Sequence, residues 1–289
     1  MPGVVVVNQP TVQLGDGTTS PVAVKAANTA PTTTDKAMVV VLSPNQAAIP
    51  VTTAPVASTP LLPIGTISLS AIATSKIYKT AYTEQTANFQ GSIVSSSAAD
   101  TAAGTGARTV NITWMSLDGT LTGVETVTLN GTTNVNLVVT TKCYIEKIEV
   151  VTAGSGLSNA GTITLRSGLG GGGVVIGTVA IGDNRTFWAH HYVKSGQTCN
   201  VTNMTHGNSA TAAGGASVAV LKAVLLPLSA NGAENQISDF LRVPGQGATN
   251  ALNYGSVIKV TGPARIAQYV TTASATTISY DGSFNLYDV

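Results

Sequence analysis

The chain has 289 residues with only 14 Lys+Arg and 13 Asp+Glu, giving a net charge of +1 and a charged fraction of 9%, against about 25% in an ordinary soluble protein. The basic residues stand singly, from Lys25 through Arg108 and Arg166 to Arg265, so no cluster can neutralise several phosphates and direct nucleic-acid binding is not expected. The shortage of ionisable groups also argues against an enzyme, and a surface so poor in charge is expected to meet other protein.

Aromatic residues make up 5% of the chain, so its core must come from Val, Ile, Leu, Ala and the methyl groups of Thr, which suits thin β-sandwich packing. The start, Met1 to Val7, lacks a basic n-region and a long apolar stretch, so no signal peptide is expected. Ser217–Ala230 is too short for a transmembrane helix and is interrupted by Lys222 and Pro227.

In chain order, residues 1–66 hold nine of the twelve prolines. This spacing prevents helix and removes ladder donors, which predicts an extended arm with short strand pieces. Two such pieces, Val22–Lys25 and Ala37–Leu42, place Val22, Val24, Val39, Val41 and Leu42 as candidate assembly contacts. An arm of this kind cannot offset its own ordering entropy and is expected to order against a partner.

Residues 67–230 alternate apolar and small polar residues. They predict strands at Arg108–Met115, Glu125–Leu129, Val135–Val139, Tyr144–Val151, Thr162–Leu165, Val174–Ile181, Thr186–Val193, Cys199–Met204 and Ser217–Leu226. Turn signals such as Asp118-Gly119, Asn130-Gly131 and Ser195-Gly196 separate them. Residues 231–289 predict a helical turn at Glu234–Arg242 and four strands, 256–260, 265–270, 276–280 and 284–289, which form either edge strands of the preceding sandwich or, the reading favoured here, a small separate module. The fold class expected is all-β: an antiparallel β-sandwich, jelly-roll-like, with an N-terminal arm and a C-terminal β module.

Few motifs suggest chemistry. Arg166 to Gly173 resembles a phosphate loop, but strand residues rather than a helix follow it, so a hairpin tip is expected. Adjacent His190 and His191 point to opposite faces of a strand, and no ligand spacing links them with His206 and Cys199, so no metal or cofactor is expected. Cys143 and Cys199 could pair across a sandwich, but buried free thiols fit better without an export signal. Asp118, Asp183 and Asp281 read as turn formers, and Glu146 and Glu149 flank Lys147 on an expected solvated or subunit-facing edge. No residue is assigned a catalytic role. Trp114 follows the inward alternation of Val110 and Ile112, whereas one of Phe187 and Trp188 must face outward from a regular strand, and Trp188 is the candidate surface contact.

Two stretches carry a resemblance. Asp16–Thr19, Val22–Pro31, Asp35–Val40 and Leu42–Asn45, and then Asp100–Val110 with Val127–Thr133, resemble accessory virion structural proteins of tailed bacteriophages over roughly a third of the chain. The resemblance implies a virion component, often a homo-oligomer, anchored through its N-terminal arm, and leaves head, neck and tail open. The leading expectation is a trimeric head decoration or head-to-tail collar protein docked through its arm onto other virion proteins, and neither nucleic acid nor membrane is expected as a partner. The alternative is a tail-associated host-recognition module whose Trp188, with Asn184 and Arg185, binds a surface glycan.

Overall fold

The computed structural model describes residues 64–69, 74–208, 217–227, 234–238, 241–243, 249–272 and 278–288. Residues 1–63, and with them Val22, Val24, Val39, Val41 and Leu42, lie outside the described residues. The strands are β1 (Ile64–Leu69), β2 (Thr74–Lys76), β3 (Ser92–Ser95), β4 (Ala107–Met115), β5 (Thr122–Thr128) and β6 (Val135–Asn136). They continue as β7 (Tyr144–Ala153), β8 (Ile163–Arg166), β9 (Val175–Val179), β10 (His190–Val193), β11 (Thr198–Asn208) and β12 (Ser217–Leu225). The last are β13 (Asn235–Gln236), β14 (Leu241–Val243), β15 (Thr249–Thr261), β16 (Ala264–Thr272) and β17 (Ile278–Asp288). Among the described residues there is no α-helix, and the paired strands are all antiparallel.

One sheet runs β1-β17-β11-β15 and a second runs β10-β16-β12-β13, with β14 also on β12 and β2 also on β16. Buried side chains from both sheets, among them Val201 and Met204 of β11, Leu221 of β12, Ile266 of β16 and Phe284 of β17, form one core. β2 and β10 are two pieces of a single strand position. β2 pairs Thr271 to Tyr269 of β16 and β10 pairs Ala267 to Ala264. Between them Ile77 N–H donates to the Gln268 carbonyl, and Gln268 N–H donates to the Ala189 carbonyl. Taking β2 with β10, and β13 with β14, as single positions leaves eight, which alternate between the two sheets except at one step and place the first beside the last. That is the two-Greek-key connectivity of a jelly roll.

Residues 78–188 are therefore an insertion within one jelly-roll strand. They form a smaller sandwich from the sheets β6-β3-β8-β9 and β5-β4-β7, whose core includes Ile93, Val110, Ile112, Ile148, Ile163 and Leu165. β4 illustrates the local logic. Val110, Ile112 and Trp114 turn inward, while outward Asn111 accepts from Thr126 Oγ1 at 2.7 Å and the Thr109 and Thr152 hydroxyls meet at 2.6 Å. Neutral cross-strand pairs stand where most proteins place charges.

Four expectations need correction. The C-terminal region is not a separate module from residue 231: β16 lies between β10 and β12, and β11 between β15 and β17. Nor is 67–230 one sandwich, because it supplies both the insertion and half of the jelly roll. The helical turn expected at Glu234–Arg242 is replaced by β13 and β14, which pair with β12. Asp281-Gly282 lies inside β17 rather than in a turn. There a Cβ on Gly282 would meet Ile77 Cδ1 at 2.5 Å and Gln268 Oε1 at 2.6 Å, so the glycine serves close packing at the root of the insertion. The Gly-rich stretch is a hairpin tip between β8 and β9, as expected, and is fastened: Ser92 Oγ donates to the Gly168 carbonyl at 2.7 Å, and Gly170 N–H donates to Asn136 Oδ1 at 2.7 Å.

Candidate functional site

The ionisable and aromatic groups that lie far apart in sequence converge at the root of the insertion. β10 brings His190, His191 and Tyr192; β7 brings Tyr144, Glu146 and Lys147; the segment after β2 brings Tyr78, Tyr82 and Glu84; β16 brings Arg265. Tyr82 and Trp188 have ring centroids 4.7 Å apart, Tyr144 stacks on Tyr192 at 5.1 Å, and Tyr78 meets His190 edge-on at 5.2 Å.

His190 fixes its own tautomer. Its Nε2 lies 3.1 Å from the Ile145 carbonyl and 3.0 Å from the Glu146 carbonyl, so Nε2–H donates, and Nδ1 accepts from the Tyr78 hydroxyl at 2.7 Å. Burial outweighs the nearby Glu146 and pulls the imidazole down to about 4. Burial also holds the Tyr78 and Tyr192 hydroxyls well above the ordinary phenol range. Glu146 is not on a solvated edge: its Oε1 lies 3.0 Å from His191 Nδ1, and its Oε2 accepts from Tyr192 N–H at 2.9 Å. Burial pushes this carboxyl up, but His191 and its hydrogen bonds bring it below the usual carboxylate range. Lys147 and Glu149 do lie on the solvated side, and their side chains pair there at 2.9 Å.

Beside these rings Arg265, 2% exposed, bridges Glu84 and Glu234. Glu234 also accepts from the Tyr269 hydroxyl, and Lys76 Nζ lies 3.5 Å from Glu84 and 3.9 Å from Glu234. Desolvation and the neighbouring Arg265 bring the Lys76 ammonium down to about 8. Sequence reading missed this network because its members are isolated charges that only the jelly-roll pairing gathers.

A cleft of about 320 Å³ opens at this junction, lined among others by Trp114, Thr122, Glu146, Arg185, Trp188 and Lys194. Trp188 is 3% exposed and its indole N–H donates to the Thr80 carbonyl at 3.0 Å. The expectation of an outward Trp188 is thereby corrected: the half-buried ring of the pair is Phe187, flanked by Lys79 and by Arg185 at 4.9 Å. Asn184 is spent on the loop, exchanging hydrogen bonds with Asn159. His206 bonds Ser217 Oγ at 2.7 Å. Cys143 and Cys199 are buried and are not joined in a disulfide, with burial pushing the Cys143 thiol up to about 11. Among the described residues no three His, Cys, Asp or Glu side chains gather as a metal site.

No protein-family model matches the chain, and no curated protein matches it. Among solved structures it is similar to a chain of an infectious bursal disease virus particle, at 12% identity over 80% of this chain and 69% of that one, with a TM-score of 0.19. It is similar also to a chain of the Gx strain of that virus, at 12% identity over 80% and 71%, with a TM-score of 0.17. A likeness of this size carries no argument about the fold or function of the chain.

Proposed function

We propose that the chain is a structural subunit of a virus particle, without catalytic activity, that works by packing against copies of itself and against other virion proteins. The observation that carries this reading is the charge-poor exterior of a chain of which only 9% is charged. The outer positions of edge strand β5 are Thr122, Val124, Thr126 and Thr128, with Val124 56% exposed, while its one charged residue, Glu125, turns inward to Lys142. An unguarded edge of this kind invites strand pairing unless another protein covers it. The jelly roll supports the reading without deciding it, since lectin domains and cupins share that architecture.

The finer form of the proposal is a trimeric head decoration or head-to-tail collar protein of a tailed phage, docked through residues 1–66; it rests on the sequence resemblance. Antibody raised against the folded chain should label purified particles in electron microscopy, at the head surface or the collar. Absence of the chain from purified particles would contradict the proposal.

A further inference from the structure

The two sheets of the insertion end in β6, β9, β5 and β7, and all of these edges but one are blunted. β6 is only two residues long. The outer side of β9 is taken by the segment after β2, where Thr83 N–H donates to the Ile176 carbonyl at 2.7 Å and Thr80 Oγ1 to the Thr178 carbonyl at 2.6 Å. β7 is covered by residues 184–186: Val150 N–H donates to the Asn184 carbonyl at 2.6 Å, and Thr186 N–H to the Ile148 carbonyl at 2.9 Å. Short or covered edges are a common defence against unwanted strand pairing. β5 has neither. It pairs with β4 along its whole length without a register shift, and among the described residues no strand or backbone group pairs with its other side.

The hydrogen-bond phase of β5 shows what that side presents. Leu129 N–H donates to the Arg108 carbonyl and Ser116 N–H to the Leu121 carbonyl, each at 2.9 Å. Such rungs alternate along an antiparallel pair, so Gly123, Glu125 and Val127 spend their backbone groups on β4, while Thr122, Val124, Thr126 and Thr128 turn theirs away from it. The side chains of these four are exposed and uncharged. Such a strand is complementary to itself. A second copy turned about a two-fold axis at Glu125 sets Thr122 against Thr128 of the partner and Val124 against Thr126 of the partner. That register uses every free backbone group of the strand and places neutral β-branched side chains opposite one another. The carboxylate at the axis brings its own counter-ion, because Glu125 Oε2 accepts from buried Lys142 Nζ at 2.7 Å and Oε1 accepts from Val138 N–H at 2.5 Å. We infer that β5 pairs with β5 of a second copy of this chain, joining the β5-β4-β7 sheets of the two copies into one. The inference rests on the structural role proposed above and names the partner of its bare edge. A two-fold contact closes no ring of three, so in a trimeric form it links one trimer to the next.

The test uses the full chain with one cysteine added per copy, the native Cys143 and Cys199 being buried. Paired Cα atoms about 5.5 Å apart suit a disulfide, so an equal mixture of V124C and T126C should oxidise to a covalent dimer several-fold faster than either variant alone. V138C, at a position 81% exposed and off the edge, gives the rate of random collision. In sedimentation the wild type should gain mass with protein concentration, with a Kd of about 100 µM or tighter for the pairing step. V124K/T126K, which sets lysines against each other across the edge and keeps an unchanged circular dichroism spectrum, should lose that gain. A mixture that links no faster than V138C, faster linking of V124C alone, or a lysine variant that associates like the wild type would overturn the inference. Any of these with the chain still present on purified particles removes the β5 contact and leaves the structural role standing. Pairing as expected in a chain absent from particles keeps the contact and removes that role.

Discussion

Arg265 shows what a sparse charge inventory is used for. Its buried guanidinium holds Glu84, which follows β2, and Glu234, which precedes β13, against the middle of the jelly roll. Arg265→Ala leaves two carboxylates facing each other with only Lys76 between them, and should cost about 3–5 kcal/mol, read as a lower urea midpoint. Asp100 does comparable work in the insertion. Its carboxylate accepts from the backbone N–H groups of Ala107, Ala160 and Gly161 and from Ser95 Oγ, and Gly106 leaves room for it, since a Cβ there would lie 2.0 Å from Oδ1. Asp100→Ala orphans several buried donors, and a loss of about 3 kcal/mol or more is expected. His190 gives a pH signature. With its folded value near 4 and an unfolded value of about 6.5, the unfolded state binds the extra proton between these limits. Stability is therefore full above about pH 6.5 and falls by about 3 kcal/mol as the pH drops towards 4. Urea titrations across that window should show the fall in the wild type and a shallower one in His190→Gln.

At the scale of the element, the two-part strand β2/β10 depends on one glycine of β1. A Cβ on Gly65 would lie 2.1 Å from the Ile77 carbonyl oxygen and 2.5 Å from the Ala189 amide nitrogen, backbone atoms that close the root of the insertion. Gly65→Ala should lower the melting temperature by several degrees and open Lys76 to trypsin; an unchanged melting curve would mean that β1 does not cross there. The strands themselves were largely legible. Alternation at Val110, Ile112 and Trp114 and the turns at Asp118-Gly119 and Asn130-Gly131 mark β4 and β5, because side chains alternate across a pleated strand. Pairing partners were not legible: nothing local in Arg265–Val270 says that it lies between β10 and β12. For the same reason Asp281-Gly282 read as a turn, although the glycine answers to Ile77 and Gln268, 205 and 14 residues away in the chain. Trp188 was misjudged because the segment before β10 is not a regular strand, and the cleft escaped notice because Arg185, Lys194 and Trp114 converge only once the insertion folds back on the jelly roll.

For the molecule as a whole, composition and architecture lead to one account. Outward Thr, Asn and Val take the place of most charge, several of the few described ions are drawn into the root of the insertion or into local pairs, and edge β5 is left without the guards of a monomeric sheet. Contacts formed by such a surface draw on apolar burial and main-chain pairing and so should depend little on ionic strength. The measurement that tests this most directly is the solution mass of the full chain, by light scattering behind size exclusion, at low and high salt. The account predicts a discrete oligomer, a trimer in its finer form, with the same mass at both salt concentrations. A monomer at every concentration tested, or an assembly that dissolves as salt is raised, would contradict it.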